Sequence, residues 1–255
     1  MQTKYVRLTD AQWEFIKEYL DWQRKRKLDL RDVFDGILYV TRTGIQWRNL
    51  EQTIYPDWQA VYYYFDKWKK DGTLSLLNTH LNELERIQIG RQPSPSLCLA
   101  DSQSIKLAPR IGEERGLDPH KKVNGRKRHI LVDICGRIYQ THVHAANLYD
   151  GNEAQQLLDI SKEHFDRLEK IMTDKNYRGV FSRAVEKIGL EFEVPQRPEN
   201  LKGFVVEAKR WVVERTFAWL NFYRRLVIDY ERTVESANTF LILANLSMVI
   251  WKVKL

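Results

Sequence analysis

The sequence predicts an α/β protein: a helical region over residues 1–90, then a mixed-sheet domain with helices on its faces over 97–255. Three observations predict it. Apolar residues recur at helical spacing before residue 90, and apolar runs of strand length alternate with helical ones after residue 97. Between them lies GRQPSPS, Gly90 to Ser96, a polar linker whose two prolines exclude helix and regular sheet.

The chain has 255 residues, 43% hydrophobic and 29% charged, ample for a buried core and unlike a disordered chain. Its net charge of +7 selects a polyanionic partner, nucleic acid first and an anionic membrane surface second. Cys98 and Cys135 lack CxxC spacing, so neither a zinc site nor a disulfide framework is expected. MQTKYVRLTDAQW has no apolar signal region, and the most apolar run, Thr239 to Trp251, is too short to span a bilayer. These features lead to the expectation of a cytoplasmic protein with no membrane partner.

In the first region, Leu8-Thr9-Asp10 offers an N-cap for a helix carrying Trp13, Ile16, Tyr19 and Leu20. After the basic run Arg24 to Lys27, a second helix carries Leu30, Val33, Phe34, Ile37 and Leu38 and stops near Gly44. Pro56 opens a third with Trp58, Val61, Tyr62, Phe65 and Trp68, and a fourth covers 74–87. Short helices with basic connections suit a DNA-binding module; a packing domain with core aromatics accounts for the same pattern.

Beyond the linker, Leu97 to Ala100 reads as a strand ending at Asp101, and 105–124 as a basic loop. RKRHILVD, 126–133, is a strand; Cys135-Gly136-Arg137 turns it, and 138–145 returns as its hairpin partner. A helix starts at Asp150-Gly151 and runs through Ile160. A strand at 168–173 ends at Asp174, a helix covers 180–188, and a strand covers 190–194. The last pattern, Ala208 to Glu231, reads as one long helix. Val213, Phe217 and Leu220 form its apolar stripe, and Glu207, Arg210, Glu214, Asn221 and Arg225 lie on a polar face.

Two aspartates at strand ends and a glutamate on a following helix make a site for hard divalent cations, which prefer carboxylate oxygens. Two such ions can serve both oxygens of an in-line phosphoryl displacement. Taken singly, each carboxylate has a local explanation, as a turn cap or a salt-bridge partner. Together with the basic loop they point to a metal site. His142 and His144 share a strand face, but no third ligand is evident, so they read as structural, as do Asp133 and Asp150.

The segments LADSQSIKL, ERGLDPHKKVNGRKRHILVDICGRIYQTHVHAAN, MTDKNYRG and KGFVVEAKRWVVERTFAWLNFYRRLVIDYER resemble the catalytic core of bacterial insertion-sequence transposases of the fifth family. LTDAQW, DLRDVFDGILYVTRTGIQWRNL and WQAVYYYFDKWKKDGTL resemble the helical domain that precedes that core. The resemblance implies a ribonuclease-H-like fold and an Asp-Asp-Glu triad at Asp101, Asp174 and Glu214. It also implies Mg²⁺ or Mn²⁺, as two ions, and cleavage of element ends in double-stranded DNA. The freed 3′-OH then joins target DNA, with homodimers or larger assemblies pairing the ends. Only 39 residues lie between Asp174 and Glu214, as in members without a large insertion there. Arg210 keeps the family's arginine position, whereas Glu207 and Asn221 stand where relatives often have Tyr and Lys, so Tyr223, Arg224 or Arg225 would supply those roles.

Lys121, Lys122, Arg126, Lys127 and Arg128, with Arg210, Arg215, Arg224 and Arg225, are the expected phosphate contacts. Trp211, Trp219 and Phe222 are either base-stacking groups or core. Glu235 to Trp251 is either a self-association surface or core. The rival functions are a metal-dependent structure-specific nuclease and a domesticated, non-catalytic reader of DNA ends.

Overall fold

The computed structural model describes residues 5–25, 27–159, 165–195 and 211–255. The chain forms α1 (Asp10–Lys17), α2 (Leu30–Thr43), α3 (Trp58–Lys70), α4 (Thr73–Gln88), β1 (Leu97–Lys106), β2 (Gly116–Asp118), β3 (Val123–Asp133) and β4 (Ile138–Ala145). There follow α5 (Asp150–Glu153), β5 (Lys170–Met172), α6 (Val180–Lys187), β6 (Glu191–Glu193), α7 (Trp211–Leu220) and α8 (Val234–Ile250). Short 3₁₀ turns cover Trp47–Asn49, Ala154–Leu158, Lys175–Tyr177 and Arg224–Leu226. Among the described residues no helix is long and apolar enough to cross a membrane.

The chain divides into two compact units, one of 1–91, 221–227 and 239–255, the other of 92–220 and 228–238. The division at Arg91 falls inside the expected linker. The C-terminal stretch, however, does not stay with the sheet: 239–255 belongs with the N-terminal helices. Its composition explains this. Phe240 to Ile250 is buried throughout, and a helix apolar on every side needs a core around it. Phe240 stacks on Phe65 at 5.1 Å. The polar break that the sequence shows at Asn245 is satisfied internally, its Nδ2 donating to Asn78 Oδ1 at 2.6 Å and Asn82 Oδ1 at 2.9 Å. Of the two readings for Glu235 to Trp251, core holds for most of the stretch.

In the helical unit the local signals act where the sequence has them. Thr9 closes a capping box with Gln12, and Asp29 and Asp57 accept from the first turns of α2 and α3. Gly44 ends α2 at φ 70°, where a Cβ would meet the Arg224 backbone carbon at 3.1 Å.

The sheet unit is built on β1 and β3, antiparallel from Cys98↔Asp133 to Lys106↔Gly125. β4 pairs antiparallel with β3 from Arg126↔Ala145, with a register shift between Leu131 and Val132, and β2 pairs with the start of β3. On the other side β5 runs parallel to β1, and β6 parallel to β5. One face packs Cys98, Ala100, Leu131 and Ile171 against Leu157, Phe165, Tyr177, Phe181 and Val185. The opposite face receives α7 through buried Val213, Thr216, Phe217 and Leu220.

Four elements differ from expectation. β2, Gly116–Asp118, pairs with β3 inside the stretch expected as a basic loop. β1 continues past Asp101 to Lys106, because Ser102-Gln103-Ser104, polar enough to read as a turn, pairs its backbone with β3. The helix expected from Asp150 is one turn of α followed by 3₁₀. The long helix expected from Ala208 ends at Leu220, and the chain after it returns to β1, where Asp229 N donates to Lys106 O and its carbonyl accepts from Ala108 N.

Candidate active site

Register brings the two aspartates together. In the β1–β5 ladder Leu99 lies opposite Met172, so Asp101 and Asp174 each stand two residues beyond a paired position on adjacent parallel strands. Adjacent strands are about 4.8 Å apart, which puts the two carboxylates side by side at the end of that ladder. Asp101 shares the face of Leu99, the one α7 covers, because side chains alternate along β1. Asp101, Asp174 and their neighbours Leu99, Met172 and Thr173 line one pocket, with Val213 of α7 on its wall. Glu214 follows Val213 in the first turn of α7, exposed to solvent.

Local hydrogen bonds fix both aspartates. Asp101 accepts from Ser102 N at 2.7 Å. Asp174 caps the Lys175–Tyr177 turn, accepting from Asn176 N at 2.9 Å and from Asn176 Nδ2 at 3.3 Å. Electrostatics also ties the pair together: burial pushes the Tyr177 phenol well above its ordinary value, and the charges of Asp101, Asp150 and Asp174 push it further. Two half-buried carboxylates on one pocket are hard oxygen donors of the kind that Mg²⁺ and Mn²⁺ take, and the residues present fit such an ion.

The docking of α7, and so the place of Glu214, depends on the β3–β4 turn. Gly136 adopts φ 79°, and a Cβ there would lie 2.6 Å from Thr216 Oγ1. Thr216 Oγ1 donates to Gly136 O at 3.0 Å, and Arg215 Nη2 to Cys135 O at 3.1 Å. Arg215 lies between the rings of Trp211 and Trp219, at 4.3 and 4.4 Å. Burial, then the like charge of Arg137, lowers its pKa.

The nine cations expected to meet phosphate separate into groups. Lys121, Lys122 and Arg224 are exposed. Arg126 is fully buried, bonded to Asp229 Oδ2 at 3.0 Å, Glu231 O at 2.9 Å and Glu113 O at 2.7 Å. Lys127 donates to Leu148 O at 2.9 Å and pairs with Asp150 at 3.1 Å. Arg128 donates to Gln103 Oε1, and burial lowers its pKa to about 10, so it stays charged at neutral pH. Arg225 is buried over the Phe240 ring at 5.0 Å, and Tyr223 is buried beside Arg42. A basic run reads as surface, but β3 is a central strand covered on both faces, so RKR became framework. Arg215 is intermediate, and Arg210 and Glu207 lie outside the described residues.

The sequence reading missed one cluster. His129 Nε2 lies 2.8 Å from His144 Nε2, and Asp150 completes a group whose ligand atoms all lie within 4.8 Å. The available signal was alternation: Lys127 and His129 on β3 point to the same face as His142 and His144 on β4, once the hairpin register is known.

The strand order, an antiparallel β4-β3-β1 followed by parallel β5 and β6, with helices on both faces, is that of a ribonuclease-H-like domain. Residues 92–250 match the family described as the transposase DDE domain, and the chain belongs to that family. Residues 8–78 match the family described as transposase of IS4/5 family. The chain is similar to the transposase for insertion sequence element IS402 of Burkholderia cepacia, 30% identical over 125 residues, which are 46% of this chain and 59% of that relative. Among solved structures it is similar to the catalytic core domain of BIV integrase, with 15% identity, TM-score 0.36 and coverage of 60% of this chain and 83% of the other. It is also similar to Mos1 transposase in a paired-end complex with the left transposon end, with 9% identity, TM-score 0.33 and coverage of 90% and 78%.

Proposed function

We propose that the protein is a DNA transposase that cuts the ends of an insertion sequence and joins the freed 3′-OH to target DNA. The observation that carries this reading is the pair Asp101 and Asp174, in matching positions on adjacent parallel strands and lining one pocket beside α7. Asp101, Asp174 and Glu214 would hold Mg²⁺ or Mn²⁺, as two ions. Bound there, divalent ions supply charge stabilisation to the attacking and leaving oxygens of an in-line displacement. The chain's own contribution is orientation. The Ser102 and Asn176 N–H groups aim the two strand carboxylates, and the Gly136–Thr216 contact sets the helix that brings the third. In the first reaction water adds to phosphorus and the 3′ oxygen leaves with a proton; in the second that 3′-OH adds to a target phosphodiester and a target 3′ oxygen leaves.

The DNA partners are the terminal inverted repeats and the target duplex. Pairing two ends calls for at least two protomers, and the setting is the cytoplasm, at the nucleoid when DNA-bound. Lys121 and Lys122, exposed beside β2, are the cations of the expected set in the sheet unit that stand open to solvent. Replacing both with Ala is expected to reduce the slope of log affinity against log salt by about 2, uniformly across sequences. A filter-binding series over a range of salt concentrations checks this; an unchanged slope removes them from the interface.

The decisive experiment incubates the purified chain with Mg²⁺, DNA bearing the flanking inverted repeats and a target plasmid. Covalent joining of ends to target is the expected result. Cleavage without joining would make the protein a nuclease, and binding alone a non-catalytic reader of ends.

A further inference from the structure

The Asp174 turn is anchored from the face of the sheet opposite α7. Tyr177, 1% exposed, closes the short turn that Asp174 caps and reaches into the core. Its hydroxyl is 2.8 Å from His129 Nδ1, His129 Nε2 is 2.8 Å from His144 Nε2, and His144 Nδ1 is 2.8 Å from Ala145 O. Ser102 stands directly opposite His129 in the β1–β3 ladder and next to Asp101.

Donor and acceptor roles in this chain follow from its carbonyl end. A carbonyl only accepts, so His144 Nδ1 carries a proton. Burial lowers the pKa of both imidazoles, and both are neutral at neutral pH. Neutral His144 then presents a lone pair at Nε2, which His129 Nε2–H must fill. Neutral His129 is left with an acceptor at Nδ1, which the Tyr177 hydroxyl fills. Each group has one role, from the Tyr177 hydroxyl to the Ala145 carbonyl on β4.

The same nitrogens with Asp150 Oδ1 would suit zinc by type. The positive charge is already supplied, however. Lys127 Nζ lies 3.1 Å from Asp150 Oδ1 and donates to Leu148 O, so a divalent ion would add two charges to a buried, neutralised cluster.

We propose that the Tyr177–His129–His144 hydrogen-bond chain is a positioning device for the catalytic carboxylates, holding the Asp174 turn against the sheet in the geometry that binds the divalent ion. The proposal rests on the reading of Asp101 and Asp174 as metal ligands. Tyr177 and His129 touch no reacting atom; they act through the turn. Removing one hydroxyl should therefore weaken metal binding while leaving the fold in place.

The test compares the full-length chain with Tyr177→Phe, Phe181→Leu and Asp174→Ala by calorimetric titration with Mn²⁺, alongside thermal melts. Phe181 packs on Tyr177 at 5.4 Å but lies outside the hydrogen-bond chain, so Phe181→Leu reports loss of packing alone. Tyr177→Phe is expected to weaken Mn²⁺ binding about 10-fold, the scale of lost outer-shell partners, and Phe181→Leu to leave it unchanged at an equal or greater loss of melting temperature. Mn²⁺ affinity equal to the parent's in Tyr177→Phe, or an equal loss in Phe181→Leu, overturns the proposal. Asp174→Ala with parental affinity would instead overturn the assignment of the ligands themselves. ¹⁵N-histidine NMR of the parent provides a second check: neutral rings with protons on His129 Nε2 and His144 Nδ1 are expected. Both nitrogens deprotonated at Nε2, with stoichiometric zinc in elemental analysis, would replace the chain with a metal site.

Discussion

Asp101→Ala, Asp174→Ala and Glu214→Gln are each expected to lower end cleavage by at least about 10²–10³-fold, the loss that follows removal of one transition-state contact. The three need not lose equally. Asp101 and Asp174 are held by backbone N–H donors within the sheet, whereas Glu214 stands in the first turn of a helix, exposed. Binding to the terminal repeats should be unchanged or slightly tighter in all three, because a carboxylate near a phosphodiester repels it. Gel-shift and cleavage assays on the same preparations separate the two effects. Cutting at the parental rate by any one variant would remove that residue from the triad. Loss of binding and cutting together would mean that the carboxylates hold the DNA-binding surface in shape.

The second large effect is on stability. Asp229→Ala removes the one carboxylate bonded to Arg126 among the described residues, and that guanidinium is fully buried. Breaking a buried pair from one side leaves an uncompensated charge and costs about 3–5 kcal/mol. The remaining bonds, to Glu113 O and Glu231 O, satisfy donors but neutralise nothing. Denaturant unfolding should show a lowered midpoint, with the double variant Asp229→Ala/Arg126→Met milder because both charges leave together. A loss in Asp229→Ala within about 0.5 kcal/mol, the range of ordinary surface changes, would show that solvent reaches the guanidinium.

Much of this architecture was legible from short-range chemistry. Thr9 and Gly44 bound helices as their side chains and backbone freedom dictate, and the hairpin turn at Gly136 stands where the sequence has it. For the candidate carboxylates, the local setting was legible, since Asp174 does follow a strand and Glu214 does lie on a helix. Long-range facts were not. Nothing local to RKRH says that β3 has a neighbour on each side, yet that decides whether Arg126 and Arg128 meet phosphate or Asp229 and Gln103. Nor does His129 announce His144 until the β3–β4 register aligns the two strands. The shortened last helix has the same origin: NFYRRLV keeps helical spacing, but Tyr223 and Arg225 are held by Arg42, Ile45 and Phe240, far away in sequence.

The division of the chain bears on how it comes into being. The apolar surface of α1 to α4 packs on Phe240 to Ile250, a segment translated only after all the strands of the sheet unit. Until that segment emerges, Phe65, Asn78 and Asn82 lack the partners it supplies. The sheet unit meets a milder form of the same delay, since β1 to β6 emerge before 228–238 supplies Asp229 to the Arg126 already placed on β3. Loop closure over such separations is slow, so α1 to α4 acquire their native packing late relative to their own translation.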